Sequence, residues 1–420
     1  MNTLKSVLLI AVFISSTVTG YSVQLTTSFD NFSDISLTRF TSDLSGVVFI
    51  WLPNEDGFQQ AEFDMGQQIR KYGEIWYPDL FESHFLPVIP SSLNKIPATD
   101  IASLIQTAAI KGNKIILIGS GRGILPLLTG THLWQTQNTL EQNLAGIILI
   151  SPNFFQETPQ PGDPAQFLEI TAKTNQPIFI LQPKLSPWFW KLTHSTEELA
   201  KGGSDVYLRV LPNVRDRFYY RPDASQSENK LARTFSQNIV QAAKLLLDLP
   251  YKTRKPLIYN ISSLTNSAKK KERKLRPYKG KPDAPTLNLP NLNNIIINLK
   301  DYKGQVVLVN FWASWCPPCV HEMPSMQRLQ NAFSAKTFTI LGVNMAEDPS
   351  TINNFLSQKV NVTFPILLDS DGAALKRWQV FAFPTSYVID KEGRIRYALF
   401  GSVEWDKAEV VEIIKNLIKE

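Results

Sequence analysis

Short apolar runs recur along the first part of the chain, at 47–52, 74–77, 114–119, 146–151, 177–182 and 205–211. In the gaps between them, apolar residues return at helical spacing, notably over 61–72, 98–110, 166–174 and 230–247. Uninterrupted runs of this length suit strands buried on both faces, and the 3.6-residue period suits helices laid over them. The alternation predicts one α/β domain over residues 22–262, a mostly parallel sheet with helices on both sides. A second α/β block follows. The stretch 306–312, VVLVNFW, reads as a buried strand, and apolar spacing over 320–333 predicts a helix directly behind it.

Charge separates the two blocks. Lys269, Lys270, Lys271, Arg273, Lys274, Arg276, Lys279 and Lys281 face only Glu272 and Asp283 in the same stretch. That surplus of six is the whole formal net charge of +6, so the blocks on either side are neutral. With Pro277, Gly280, Pro282 and Pro285 in or beside it, the stretch 263–283 is expected to be an extended, solvated linker able to touch an anionic surface weakly. Tyr278 is the one aromatic within this charge, where single-stranded nucleic acid would want several interleaved, so no nucleic-acid binding is expected.

At the N-terminus, Lys5 precedes the apolar run 7–14, and small and polar residues lead to Val18, Thr19 and Gly20. The pattern predicts a secretory signal over 1–20 with cleavage after Gly20, an uncleaved membrane anchor being the alternative. No cysteine near residue 20 offers a lipid attachment site.

The chain of 420 residues has two cysteines, Cys316 and Cys319, enclosing Pro317 and Pro318 where the strand meets the helix. At a helix N-terminus, unpaired N–H groups and the positive end of the macrodipole favour the Cys316 thiolate. Cys319, one turn on, is within reach of a mixed disulfide formed on Cys316, which describes a reversible dithiol/disulfide couple needing no other cofactor. Zinc would need two further ligands, with only His321 near; haem attachment would need histidine where Val320 stands. Neither proline has an N–H to donate, leaving the Cys319 amide as the main donor to Cys316. A thiolate so sparsely stabilised predicts a reducing couple, on a scale whose extremes lie about 150 mV apart.

These residues carry a resemblance. The stretch 311–319, FWASWCPPC, with Glu322, Met323 and Pro324 after it and Phe383, Pro384, Thr385 and Ser386 further on, resembles extracytoplasmic thioredoxin-fold proteins of the TlpA/ResA/CcmG type over 284–420. The resemblance implies a thioredoxin fold, a cis-proline at Pro384 facing the cysteines, and substrate contacts from Trp315, Pro317, Pro318, Phe383 and Thr385. It implies that Glu347 is a proton acceptor for Cys319. Asn310 stands where cytosolic thioredoxins carry a buried aspartate, so a proton relay cannot use that position. Also implied are client protein thiols or disulfides as partners, apocytochrome c among them, and a membrane thiol transporter as electron donor.

In the first block, Gly119, Ser120, Gly121, Arg122 and Gly123 stand at a strand-to-helix turn and resemble the nucleophile elbow of α/β-hydrolases. Aligned on Gly119 and Gly123, the nucleophile's position holds Gly121. No Asp or Glu occurs in 183–195, and the loop after Leu211 has no histidine. With nucleophile, acid and base all absent from their places, this block is expected to be a catalytically inactive hydrolase-like scaffold that binds a client or partner. Trp188, Phe189 and Trp190 are its expected cleft lining, or packing beneath a lid. The rival reading is a hydrolase acting through Ser120 or another non-standard nucleophile; a disulfide oxidase or isomerase is the third.

Overall fold

A computed structural model describes residues 21–25, 35–44, 46–137, 141–260 and 274–420. The expected signal over 1–20 and the first part of the basic stretch lie outside them. Among the described residues no helix is long and apolar enough to cross a membrane. The chain divides into two compact units. The first comprises Met1–Phe154, Phe167–Ser186 and Lys191–Ser267; the second comprises Phe155–Gln166, Pro187–Trp190 and Ala268–Glu420.

The first unit is built on eight strands: β1 (Tyr21–Leu25), β2 (Ile35–Phe40), β3 (Val47–Trp51), β4 (Glu74–Asp79), β5 (Lys114–Ser120), β6 (Leu144–Ile150), β7 (Ile178–Pro183) and β8 (Val206–Leu211). Their spatial order is β1-β2-β4-β3-β5-β6-β7-β8, with β2 antiparallel to β1 and β4 and the rest parallel. Helices α1 (Gln60–Ile69), α2 (Leu80–Ser83), α3 (Ala98–Ile110), α4 (Ile124–Gln137), α5 (Leu192–Gly202), α6 (Gln226–Ala232) and α7 (Phe235–Asp248) make the connections. The six sequence-predicted strands form as β3 to β8. The segment 166–174 holds only a short 3₁₀ turn, Glu169–Ala172, and 230–247 is broken into α6 and α7 at Arg233 and Thr234.

The chain leaves β3 for β4 on one side and returns to β5 on the other. Sheets with such a reversal bind ligands in a crevice at the C-terminal ends of the two strands, here β3 and β5. The loop after β8 also reaches that edge, held by Arg215. Its backbone N and Nε donate to Glu228 Oε1 at 2.8 Å each and its Nη2 to Oε2 at 2.6 Å, with both side chains buried.

The second unit has a six-stranded sheet in the order β14-β13-β12-β15-β16-β9 and a separate β10-β11 hairpin. The strands are β9 (Arg276–Pro277), β10 (Asn288–Pro290), β11 (Ile296–Asn298), β12 (Val306–Trp312), β13 (Phe338–Met345), β14 (Ile366–Asp369), β15 (Thr385–Ile389) and β16 (Ile395–Phe400). The helices are α8 (Pro317–Asn331), α9 (Pro349–Lys359), α10 (Ala373–Arg377) and α11 (Ala408–Lys419). The central strand β12 is parallel to β13 and antiparallel to β15, and all seven of its residues are buried, as its unbroken apolar run requires. This is the thioredoxin fold.

The boundary drawn at residue 283 shifts. Arg276 and Pro277 pair with Ala398 and Tyr397 as the edge strand β9, Leu275 is buried, and Tyr278 N donates to Arg396 O at 2.9 Å. Arg276 and Pro277 are therefore sheet edge, while Lys274, Lys279, Lys281, Pro282 and Asp283 around them stay exposed. Leu275 and Tyr278 give the segment enough apolar surface to pack, and Pro277 is tolerated because an edge strand has an unpaired side.

The Arg215–Glu228 pair supplies a stability prediction. Burial alone would raise the Glu228 carboxyl, but the Arg215 guanidinium and the Ser225 and Arg215 amides draw it down from 4.5 to about 2. With the folded value below the unfolded one, the stabilisation is full above pH 4.5 and is lost as pH falls toward 2. Glu228→Gln removes the carboxylate from a buried guanidinium that keeps Asp223 as a second partner at 3.0 Å, and should cost about 1–3 kcal/mol, read by urea unfolding at pH 7.

Candidate functional site

Helix α8 begins at Pro317 and Pro318, first-turn positions whose missing N–H groups would have had no partner within the helix. Cys316 is its N-cap residue, and the Cys319 backbone N–H donates to Cys316 Sγ at 3.3 Å. The two sulfurs are joined as a disulfide. Cys316 is 5% exposed and Cys319 fully buried, while Pro317 and Pro318 stand exposed beside them.

The approach to Cys316 is clamped. Glu347, buried in the turn after β13, accepts from Ser314 N at 2.7 Å, from Ser314 Oγ, and from Asn344 Nδ2 at 2.7 Å. Both of its oxygens are thus engaged with the loop that leads into Trp315 and Cys316. Pro384 lies at the start of β15 behind a cis Phe383–Pro384 bond and is buried with Thr385, whose Oγ1 donates to Ala382 O at 2.7 Å. The Phe383 ring meets that of Trp315 edge-on, centroids 5.7 Å apart.

A second carboxyl escaped the sequence reading as an acid. Glu322 is fully buried and follows Cys319 by one turn of α8. Asn310 Nδ2 donates to its Oε1 at 2.8 Å and Trp405 Nε1 to its Oε2 at 3.0 Å. Asn310 Nδ2 also donates to Ser386 Oγ at 2.9 Å, tying the carboxyl to the strand that follows Pro384. Burial pushes Glu322 up from 4.5 to about 8, against the opposing pull of its Trp405 and Asn310 hydrogen bonds. The available signal was spacing. Cys319, Glu322, Met323 and Met326 fall at i, i+3, i+4 and i+7, which puts a carboxyl in the stripe that faces the core.

In the first unit, Ser120 ends β5 with its hydroxyl buried, accepting from Asn54 Nδ2 at 3.1 Å. Gly121 has φ +51°, and a Cβ there would lie 2.5 Å from Glu55 Oε2. Glu55 accepts from Arg122 N at 2.7 Å and from Arg217 Nη2 at 2.7 Å. Glu55 thus sits against Gly121 and binds the amide that follows it. Asp216 accepts from Ser151 Oγ and, at 3.0 Å, from Ser186 Oγ; burial raises its carboxyl. Of the chain's four histidines, His84 pairs with Asp100, and His132, His194 and His321 lie in α4, α5 and α8, so none reaches this loop. Trp188 and Trp190 group with the second unit, where both pack against Phe381. Among the described residues no group of three or more His, Cys, Asp or Glu is placed to hold a metal ion.

Residues 281–398 match the AhpC/TSA family. The thiol-disulfide oxidoreductase ResA of Bacillus thuringiensis is 34% identical over 135 residues, covering 32% of this chain and 76% of that protein. ResA of Bacillus subtilis is 34% identical over 137 residues, covering 33% and 74%. A crystal structure of a thiol:disulfide interchange protein of the thioredoxin family from Chlorobium tepidum is 25% identical, covering 33% of this chain and 97% of that one at a TM-score of 0.29.

Two outcomes follow from these geometries. A carboxyl whose folded value lies above its unfolded one keeps its proton on folding, so its contribution is full below pH 4.5 and is lost as pH rises through about 8. In the oxidised protein, denaturant unfolding should show stability declining over that window by a few kcal/mol, order of magnitude only, and Glu322→Gln should flatten the decline. Gly121→Ser should destabilise the first unit by about 1–3 kcal/mol, because it forces a side chain into a left-handed backbone against Glu55. It should create no esterase activity toward p-nitrophenyl acetate.

Proposed function

Because the chain belongs to the ResA-type thiol-disulfide oxidoreductases, we propose that it is an exported reductase of client protein disulfides working through Cys316 and Cys319. The observation that carries this reading is a cysteine pair closed across the first turn of α8, beside a cis-proline loop. In the reduced protein the Cys316 thiolate attacks a client disulfide and expels one client thiolate. Cys319 then attacks the mixed disulfide, its proton leaving as the Cys316–Cys319 bond closes and the second client sulfur departs. Two electrons pass to the client, and both of its sulfurs end as thiols.

Roles follow from position. Glu322, buried one turn beyond Cys319 and near neutral in its titration, suits the exchange of that proton. Glu347 was expected to do this, but its oxygens hold Ser314 and Asn344, so we assign it the positioning of the loop before Cys316. Trp315, Pro317, Pro318 and Phe383 supply the rim against which a client lies, while the buried Thr385, expected there as well, supports the loop through Ala382 O. Pairing of an extended client with the backbone at Phe383 would fix its cysteine over Cys316.

Export rests on the signal pattern ending at Gly20, and electrons would then come from a membrane thiol donor. Reduction in an oxidising compartment suits clients whose cysteines must stay free for a later step, as those of apocytochrome c must. The first unit is read as a hydrolase-like scaffold without catalysis, serving client or partner binding. Its strand order and sharp β5–α4 turn support the scaffold. Glu55 against Gly121, and the buried, hydrogen-bonded Ser120, speak against hydrolysis. Peroxidase chemistry is disfavoured because the two sulfurs form a local pair.

Cys316→Ser should lower insulin disulfide reduction by at least about 100-fold, and Cys319→Ala should accumulate a mixed disulfide on Cys316 that identifies the client by mass spectrometry. Full reductase activity in Cys316→Ser, or a potential of the pair above about −150 mV, contradicts the assignment.

A further inference from the structure

The cis-proline loop of the second unit carries more aromatic surface than the exchange reaction needs. Phe381, three residues before Pro384, is 6% exposed because Trp188 and Trp190 cover it, with ring centroids at 5.2 and 4.8 Å. Trp188 in turn stacks on Phe155, centroids 4.7 Å apart and planes 18° from parallel. Both indoles are only half-buried, so each backs onto the loop and keeps part of its surface in solvent. Two residues along, Phe383 meets Trp315, the residue before Cys316. Partly exposed aromatic side chains thus flank the cis-proline loop at two places, Trp188 and Trp190 at Phe381 and Trp315 at Phe383.

We propose that Trp188 and Trp190 are specificity-determining residues of the redox site, selecting client segments with large apolar side chains beside the reacting cysteine. The inference rests on the reductase reading above. A client in mixed disulfide with Cys316 has its cysteine fixed, so residues within a few positions of that cysteine must lie along this loop. Half-exposed tryptophans held by packing from behind offer large apolar area with little conformational entropy left to lose. Polar or glycine-rich segments would gain nothing there. Neither indole touches the reacting sulfurs, so the effect is expected in client binding and not in the chemistry of the pair.

The test uses the full-length reduced protein and two synthetic peptides, each closed by one disulfide, identical except that leucine and phenylalanine flank the cysteines in one and serine and glycine in the other. Wild type should reduce the apolar peptide with about tenfold higher kcat/KM. Trp188→Ala and Trp190→Ala should each erase most of that preference through KM, while Trp190→Phe retains it. The potential of the Cys316–Cys319 couple should not move in any variant. Equal rates for both peptides in wild type would overturn the proposal, and this arm does not depend on the variants folding. So would an equal fall for both peptides in the Ala variants, or a shift in potential. Reduction of neither peptide by a wild type able to accept electrons from dithiothreitol would instead remove the reductase reading itself.

Discussion

The redox corner is arranged around a shortage of hydrogen-bond donors. A helix N-terminus ordinarily presents several free amides to whatever caps it. Pro317 and Pro318 remove the first two, leaving the Cys319 N–H, 3.3 Å from Cys316 Sγ, as the donor the helix itself provides. The macrodipole still favours a thiolate at this end, but with less local help than an unblocked turn would give. A thiolate held so loosely is more easily given up to a disulfide, and for this couple about 30 mV corresponds to 1.4 kcal/mol. Everything around the pair serves to keep that corner in place: β12 buried behind it, Glu347 fixing Ser314 before it, and the Pro384 loop beside it.

Fixing the corner tightly transfers the proton problem to the interior. Cys319 is fully buried, and a thiolate formed there would be an unsolvated charge. Glu322 offers a carboxyl at the same depth that burial has already lifted to about 8. A carboxyl this deep persists only if its lone pairs are used, and Asn310 and Trp405 use them. Asn310 therefore has a positive function. An aspartate there would set a second carboxyl against Glu322, whereas the amide donates to it and to Ser386.

Legibility in the sequence followed locality. The buried strands announced themselves as unbroken runs, and the two cysteines could be read from spacing because both lie on one turn. The edge strands β1 and β2 were missed: Ile35, Leu37 and Phe40 are buried, but the alternation around them is short and mixed. The segment 274–283 was misjudged because charge and proline count describe solvation, whereas Leu275 and Tyr278 decided the packing. Glu322 was quoted as part of a motif without its depth being apparent, since depth depends on Trp405, which is 83 residues away in sequence. The placement of Glu55 against Gly121 was equally invisible, because it joins loops after β3 and β5 across the crevice.

That last pairing bears on how the first unit holds the sharp strand-to-helix turn after β5. The turn places Gly121 at φ +51°, a conformation glycine adopts freely and other residues resist. It also leaves the Arg122 N–H directed at the crevice, where an unmatched donor would be costly once covered. The Glu55 carboxylate satisfies that N–H at 2.7 Å, and Arg217 from the loop after β8 neutralises the carboxylate. Glycine at 121 and glutamate at 55 are mutually dependent: a Cβ at the first collides with the second, and loss of the second leaves the Arg122 amide without this acceptor while Arg217 keeps Asp56 at 3.0 Å. An internal ion pair between Glu55 and Arg217 thus fills the space beside this turn, over a sheet whose parallel strands are intact.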